Sequence, residues 1–173
     1  MRATRYSFMS LVGITAIAAA VCFVPAYAAE SDTAQAAKDY TEIQNLIARY
    51  VRALDTRNPD LYAGVFTEDA TFDVAGAVRH GRAEIRAIVE GLIASREGQS
   101  TDNPPASLYH VVVNSEIELM STTKAHHRAY WQTVRVAPDG AISIGAMGIY
   151  DDQLVKQNGE WLIDVRNLSN FAQ

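Results

Sequence analysis

The stretch TEIQNLIARYVRALD, Thr41 to Asp55, constrains the chain more than any other. Ile43, Leu46, Ile47, Tyr50, Val51 and Leu54 recur at i, i+3, i+4, i+7, i+8 and i+11, which is one apolar stripe at a helical period. A helix with that stripe must lay it on a core. Two polar groups ride with it. The Tyr50 hydroxyl sits on the stripe, and at about 100° per residue the Asp55 carboxylate falls beside Val51 at its edge. A phenol and a carboxylate carried to the inner side of a core helix point to a functional site. The alternative is a core tyrosine with a satisfied hydroxyl and an aspartate that caps the turn from Thr56 to Asp60.

Downstream, Asn58-Pro59 reads as an N-cap followed by proline at the first helical position, predicting a short helix from Asp60 to Phe66. Ala70 to Val74 reads as a strand, Gly76 breaks it, and Ala77 to His80 closes a hairpin. His80-Gly81-Arg82 leads into a third helix with Ile85, Ile88, Val89, Leu92 and Ile93 on its apolar face, ended by Gly98. Glu84, Arg86, Glu90 and Arg96 give that helix a solvated face. Gln99 to Ala106, with Pro104-Pro105, is a loop placed to act as a lid. The remainder is strand: Leu108 to Met120, Lys124 to Val136, Ala141 to Lys156 and Trp161 to Leu168. Pro138-Asp139-Gly140 and Asn158-Gly159 supply the turns. Gly145, Ala146 and Gly148 let the third of these strands bend or let a ligand approach its backbone. Helices first and an antiparallel meander after them predict an α+β fold.

The first 28 residues read as a secretory signal peptide. Arg2 and Arg5 make a basic start, Leu11 to Val24 is a short apolar run, and Ala26-Tyr27-Ala28 is an A-x-A cleavage site before Ala29. Ala29 to Ala37 is expected to be a flexible leader, and residues 38–173 one domain. Cys22, the one cysteine, lies in the signal segment, preceded by Val21 rather than by the small residue a lipoprotein site needs. Cleavage would leave no cysteine, hence no disulfide, thiol nucleophile or cysteine-ligated metal. Of 15 basic and 20 acidic residues the signal holds two basic and none acidic, so the remainder carries 13 against 20, or −7. With no basic patch, nucleic acid and anionic membrane surfaces are poor partners. A periplasmic or secreted location with no membrane association after cleavage is expected.

The segment RYVRALDTRNPDLYAGVFTEDATFDVAG resembles the opening of the SnoaL-like branch of the NTF2-like superfamily, which includes scytalone dehydratase, steroid isomerases and cofactor-free aromatic lyases. HGRAEI resembles the entry to that fold's third helix, YHVVVN its histidine-bearing strand, and GIYDDQLVKQNGEWLIDVR its last hairpin. The resemblance spans nearly the whole of residues 38–173. It implies a cone-shaped α+β barrel, three N-terminal helices packed in the concave face of a strongly curved antiparallel sheet, often as a homodimer or higher homo-oligomer. It also implies catalytic roles for Asp55, His110 and Tyr50, which keep the Tyr-x4-Asp spacing and the paired histidine of the dehydratase-like members. A site role is implied for Arg166, which matches an arginine on that fold's last strand; Asn114, His127, Trp131, Phe72 and Tyr109 are further expected substrate contacts, with pocket wall or core as the reading of the three aromatics. The chain departs from scytalone dehydratase at the second catalytic histidine. The next strand offers His126 and His127 near its start, and Thr133 or Arg135 nearer the expected depth. Steroid isomerases place their base where this chain has Val74; Asp73 is one residue away, and in a strand that slip points to the other face.

If Asp55 and His110 meet, the carboxylate fixes the imidazole tautomer and leaves the other ring nitrogen to move a proton. Tyr50 would then steady developing negative charge on substrate oxygen. Such a set needs neither metal nor cofactor. It suits loss of water, or retro-aldol loss of formaldehyde, from a small hydrophobic, hydroxylated aromatic or polycyclic substrate, as in catabolism of lignin-derived compounds. A ketosteroid-type isomerase, which requires Asp73 in the cavity, and a non-catalytic binding or dimerisation module are the alternatives. His110 beside Val111 and Val112 could be a hydrogen-bonded core residue, and Arg166 could pair with Asp164, Asp151 or Asp152. His126 and His127, being adjacent, point to opposite faces of a strand. His80 with His110 and Asp55 lacks the short-spaced pair of a metal site, so no metal is expected. Gly-rich phosphate loops and G-x-S-x-G motifs are absent from the sequence.

Overall fold

The computed structural model describes residues 24–97 and 106–171. The chain divides into two units, residues 1–34 and 35–173. The first contributes only helical residues 24–34 to the description, so residues 1–23 of the expected signal peptide lie outside it, while Ala26-Tyr27-Ala28 falls within the helix. No helix among the described residues is long and apolar enough to cross a membrane. The expected lid, Gln99 to Ala106, lies outside the described residues except for Ala106.

Three helices pack against a six-stranded mixed sheet, the α+β architecture expected from the sequence. Helix α1 runs Val24–Asp55, α2 Pro59–Gly64 and α3 Gly81–Glu97. The strands are β1 Phe66–Val74, β2 Ala77–His80, β3 Ser107–Leu119, β4 Lys124–Val136, β5 Ile142–Gln157 and β6 Glu160–Asn170, in the order β2-β1-β6-β5-β4-β3. Neighbours are antiparallel except β1 and β6, which run parallel, so the sheet is not wholly antiparallel as expected. Helix α1 also begins earlier than its apolar stripe: the 29–37 leader is helical. Strand β1 starts at Phe66 rather than Ala70, taking in residues 67–69 and cutting α2 short.

The stripe on α1 does what its period requires. Ile43, Leu46 and Tyr50 are buried against Tyr150, Leu154 and Trp161 of the sheet. Asp39, one turn above Ile43, is buried too. It accepts from Trp161 Nε1 at 3.0 Å, from Gln35 Nε2 at 3.1 Å and from Lys156 Nζ, pinning α1 to the last hairpin. Burial pushes the Asp39 carboxyl up, but those three donors outweigh it and hold it below the usual range. Asn58 caps α2 by accepting from the Leu61 N–H at 3.0 Å. Gly148 marks a close approach of strands: a Cβ there would stand 1.7 Å from the Ser169 carbonyl oxygen.

Candidate active site

Helix α1 ends in a way that aims Asp55. Asn58 N–H donates to the Ala53 carbonyl at 2.9 Å and Arg57 N–H to the Leu54 carbonyl at 3.2 Å, the paired bonds of a Schellman C-cap. That cap needs a left-handed residue, for which glycine is the usual solution. Here it is Arg57, at φ 51. A side chain is held in a costly conformation at the spot where it can reach the site. Thr56 closes the turn through its hydroxyl to the Arg52 carbonyl, leaving the Asp55 carboxylate free to project sideways.

It projects onto β3. Asp55 Oδ1 lies 2.6 Å from His110 Nδ1, and the carboxylate also accepts from the His110 backbone N–H at 3.1 and 3.3 Å. The two side chains remain 19% and 14% exposed, so the pair is sheltered but touches solvent. With Nδ1–H donating to the carboxylate, the lone pair lies on Nε2. Asp55 lines an apolar groove of about 580 Å³ between α1 and β3, with Ile47, Val51, Val112 and Ile117 on its walls. His110 lines a second hollow of about 190 Å³ with Leu54, Leu92 and Leu108. The pair therefore stands between two spaces. Arg57, Arg96 and Arg135 surround the smaller one. None of the three makes an ion pair among the described residues, unlike Arg82, Arg86, Arg128 and Arg166. Three guanidiniums with no ion pair among the described residues, beside a histidine, favour negative charge in the hollow.

Residues 35–167 match the SnoaL-like domain. The chain belongs to the SnoaL-like family. No curated protein matches it. Among solved structures, it is similar to a variant of Rv3472, a protein of unknown function from Mycobacterium tuberculosis, at 27% identity and a TM-score of 0.68, covering 80% of this chain and 75% of that one. An NTF2-like protein with a cystatin-like fold from Novosphingobium aromaticivorans aligns at 19% identity and a TM-score of 0.70, over 88% of this chain and 93% of that one. A protein of the same organism with a provisional scytalone dehydratase assignment aligns at 24% identity and a TM-score of 0.66, over 80% and 87%. These likenesses show the shared α+β fold.

In this SnoaL-like domain the other expected site residues divide sharply. His127 and Tyr109 line the groove with Asp55. Tyr50 does not join Asp55. It is 1% exposed, its hydroxyl is 3.3 Å from that of Tyr62, and its ring covers Arg166. The 3.6 period that put Tyr50 on the stripe also put it in the middle of the core. Arg166 is no surface ligand either. His127, Asp152 and Arg166 share one rung across β4, β5 and β6 on the buried face. Arg166 grips Asp152 through Nε at 2.7 Å and Nη2 at 2.6 Å, and His127 Nδ1 lies 2.7 Å from Asp152 Oδ2. All three side chains are fully buried. Tyr50 and Tyr150 sandwich the guanidinium at 4.0 and 4.2 Å. Burial pushes the Asp152 carboxyl up, but the Arg166 charge and the hydrogen bonds from Arg166 and His127 overcome it, and the net shift is downward. Burial raises the Tyr62 and Tyr150 phenols well above their ordinary value, aided by neighbouring Tyr50, so both stay neutral.

Phe72 is core, stacked on Phe66, and Trp131 is buried against Tyr150. Asn114, with φ 54, is a bulge residue exposed on β3, not a groove wall. Asp73 Oδ1 accepts from the Gly76 N–H in the β1–β2 turn at 2.6 Å, which removes the carboxylate an isomerase would need in the cavity. His80 sits at the entry to α3, its N–H donating to Glu84, apart from the Asp55–His110 pair. His126 faces away from His127, 2.9 Å from Asp151. Sequence reasoning missed the Asp39 anchor and the arginines at 57 and 96. The left-handed cap at Arg57 had a sequence signal: a helix end with no glycine after it.

Proposed function

We propose that this chain is a cofactor-independent lyase in which Asp55 and His110 carry the proton transfer. The observation that supports it is the 2.6 Å contact between the carboxylate and Nδ1, in a pair standing between an apolar groove and an arginine-rimmed hollow. A binding module would need no such contact. Nε2 takes a proton from a carbon next to an activating group, and the expelled hydroxide leaves with a proton as water. In the formaldehyde variant, Nε2 takes the proton of a primary hydroxyl, the adjacent C–C bond breaks, formaldehyde departs, and the carbanion is reprotonated. A positioned base of this kind contributes about 10²–10⁴-fold. Arg57, Arg96 and Arg135 replace Tyr50 as the groups that steady negative charge on the substrate. The groove walls suit an aromatic or polycyclic body, and the arginines suit an acidic or oxygen-rich substituent.

The experiment is a panel of hydroxylated aromatic dimers with and without a carboxylate, read out as formaldehyde and as alkene. Formation of either product by wild type, and its loss in His110→Ala, is the expected result. Equal turnover by His110→Ala would remove the assignment. Two further parts of the proposal stand on sequence and surface. Export is checked by N-terminal sequencing of the secreted protein, which should begin at Ala29. A homodimer is favoured by the exposed apolar residues Val113, Tyr130, Ile144 and Met147 on the outer face of the sheet. Light scattering should give twice the chain mass.

A further inference from the structure

One buried base takes no part in the chemistry above. His127 is 0% exposed, its Nδ1 is held by Asp152 at 2.7 Å, and its Nε2 is 3.2 Å from Ser115 Oγ. Ser115 and His127 both line the 580 Å³ groove. The serine reaches the histidine because of a bulge. Val113 pairs with Tyr130 and Glu116 with Arg128, so Asn114 and Ser115 together oppose Ala129. Val112 faces inward beside Trp131; strict alternation would send Ser115 outward. The extra residue, with Asn114 at φ 54, turns it back toward His127. A hydroxyl on an imidazole, and that imidazole on a carboxylate, is the arrangement that activates a serine nucleophile. Arg166 fixes the carboxylate from behind. Thr133, the rung partner of His110, lies six residues from His127 along β4. At roughly 3.3 Å per residue that is about 20 Å, too far for the two histidines to serve one reacting bond.

We propose that Ser115, His127 and Asp152 form a second catalytic centre, an acyl-transfer site for small apolar esters at the other end of the groove. Ser115 Oγ attacks the ester carbonyl while His127 Nε2 takes its proton. The acyl C–O bond breaks, and the alcohol leaves with that proton. Water then attacks the acyl-serine, giving its proton to His127. The acid departs, and Ser115 Oγ is reprotonated. Asp152 keeps the imidazole in the Nδ1–H tautomer throughout. Ile47, Val51 and Ile117 give the groove its preference for an apolar acyl chain.

The test is independent of the lyase reading, since it uses neither its substrates nor Asp55. The full chain is treated with a fluorophosphonate probe, and p-nitrophenyl butyrate hydrolysis is followed in parallel. The expected result is a label mapped to Ser115, with hydrolysis lost in Ser115→Ala and labelling slowed about 10²-fold or more in His127→Gln. Absence of label on Ser115 in folded wild type, or equal labelling in His127→Gln, overturns the proposal. Because His127 is buried, a second variant covers a folding failure. The thiol of Ser115→Cys should alkylate with iodoacetamide at pH 6 at least tenfold faster than free cysteine, measured on its own peptide apart from Cys22. A rate no faster than free cysteine also overturns it.

Discussion

Three histidine–aspartate pairs form among the described residues, and the two shortest, nearly equal in length, sit in different surroundings. Asp55–His110 spans 2.6 Å, and both side chains keep some solvent contact. Its members come from a helix end and an edge strand, joined only by folding. His127–Asp152 spans 2.7 Å, is fully buried, and has a guanidinium on its far side. Its members come from one rung of the sheet. A buried carboxylate needs a fixed counter-charge, and Arg166 supplies it; a carboxylate at a mouth needs less and remains available to steer a reacting imidazole. The same two residue types thus rest on a fixed buried counter-charge in one place and stand at a half-open mouth in the other.

The strongest way to break this contrast is to remove the buried carboxylate. Asp152→Ala leaves Arg166 charged and unpaired in the core, and should cost about 3–5 kcal/mol, measured by urea unfolding. A loss no larger than that of Asp55→Ala would erase the distinction. Gly148→Ala should follow in size, at about 1–3 kcal/mol by the same measurement, because its methyl meets the Ser169 carbonyl. Acid sharpens the contrast further. The folded carboxyls of Asp152 and Asp39 lie below their unfolded value near 3.9. Their stabilisation is therefore complete above about pH 4 and lost as pH falls toward the folded values. Stability measured from pH 5 to 2 should drop, and Asp152→Asn should flatten that drop.

Arg57 tests the mouth. Arg57→Gly relieves a left-handed side chain and should stabilise the fold by about 1 kcal/mol, while raising KM for a carboxylate-bearing substrate about tenfold. A variant less stable than wild type would mean that the cap is not strained. The smallest effect is expected at Tyr50→Phe, which loses the hydroxyl contacts with Tyr62 and Tyr150. That should cost about 1 kcal/mol and change turnover less than threefold.

Much of this was legible from the chain. Lys124 to Val136 could be bounded as a strand because Pro138-Asp139-Gly140 ends it, and strand alternation sets the adjacent His126 and His127 on opposite faces, as the structure has them. The Asp55–His110 pairing came from a resemblance, since 55 residues separate the partners and no local period links them. The error over Tyr50 has a physical source. Periodicity says which face a residue takes, not how deep the face lies, and the aromatic cluster of Tyr62, Phe66 and Tyr150 encloses it. Arg166 was open between a ligand role and an aspartate partner. The choice of Asp152 rests on the β5–β6 register, which residue types alone leave undetermined. The parallel β1–β6 pairing was hidden for the same reason: it joins the two ends of the domain.

The central claim is that the half-open pair moves the proton, and Asp55→Asn tests it most directly. The substitution keeps the shape and the contact with the His110 backbone while taking away the charge that orients the ring. Its kcat should fall by about 10²–10⁴ with the melting temperature within a few degrees of wild type. Wild-type kcat in a folded Asp55→Asn protein would contradict the account.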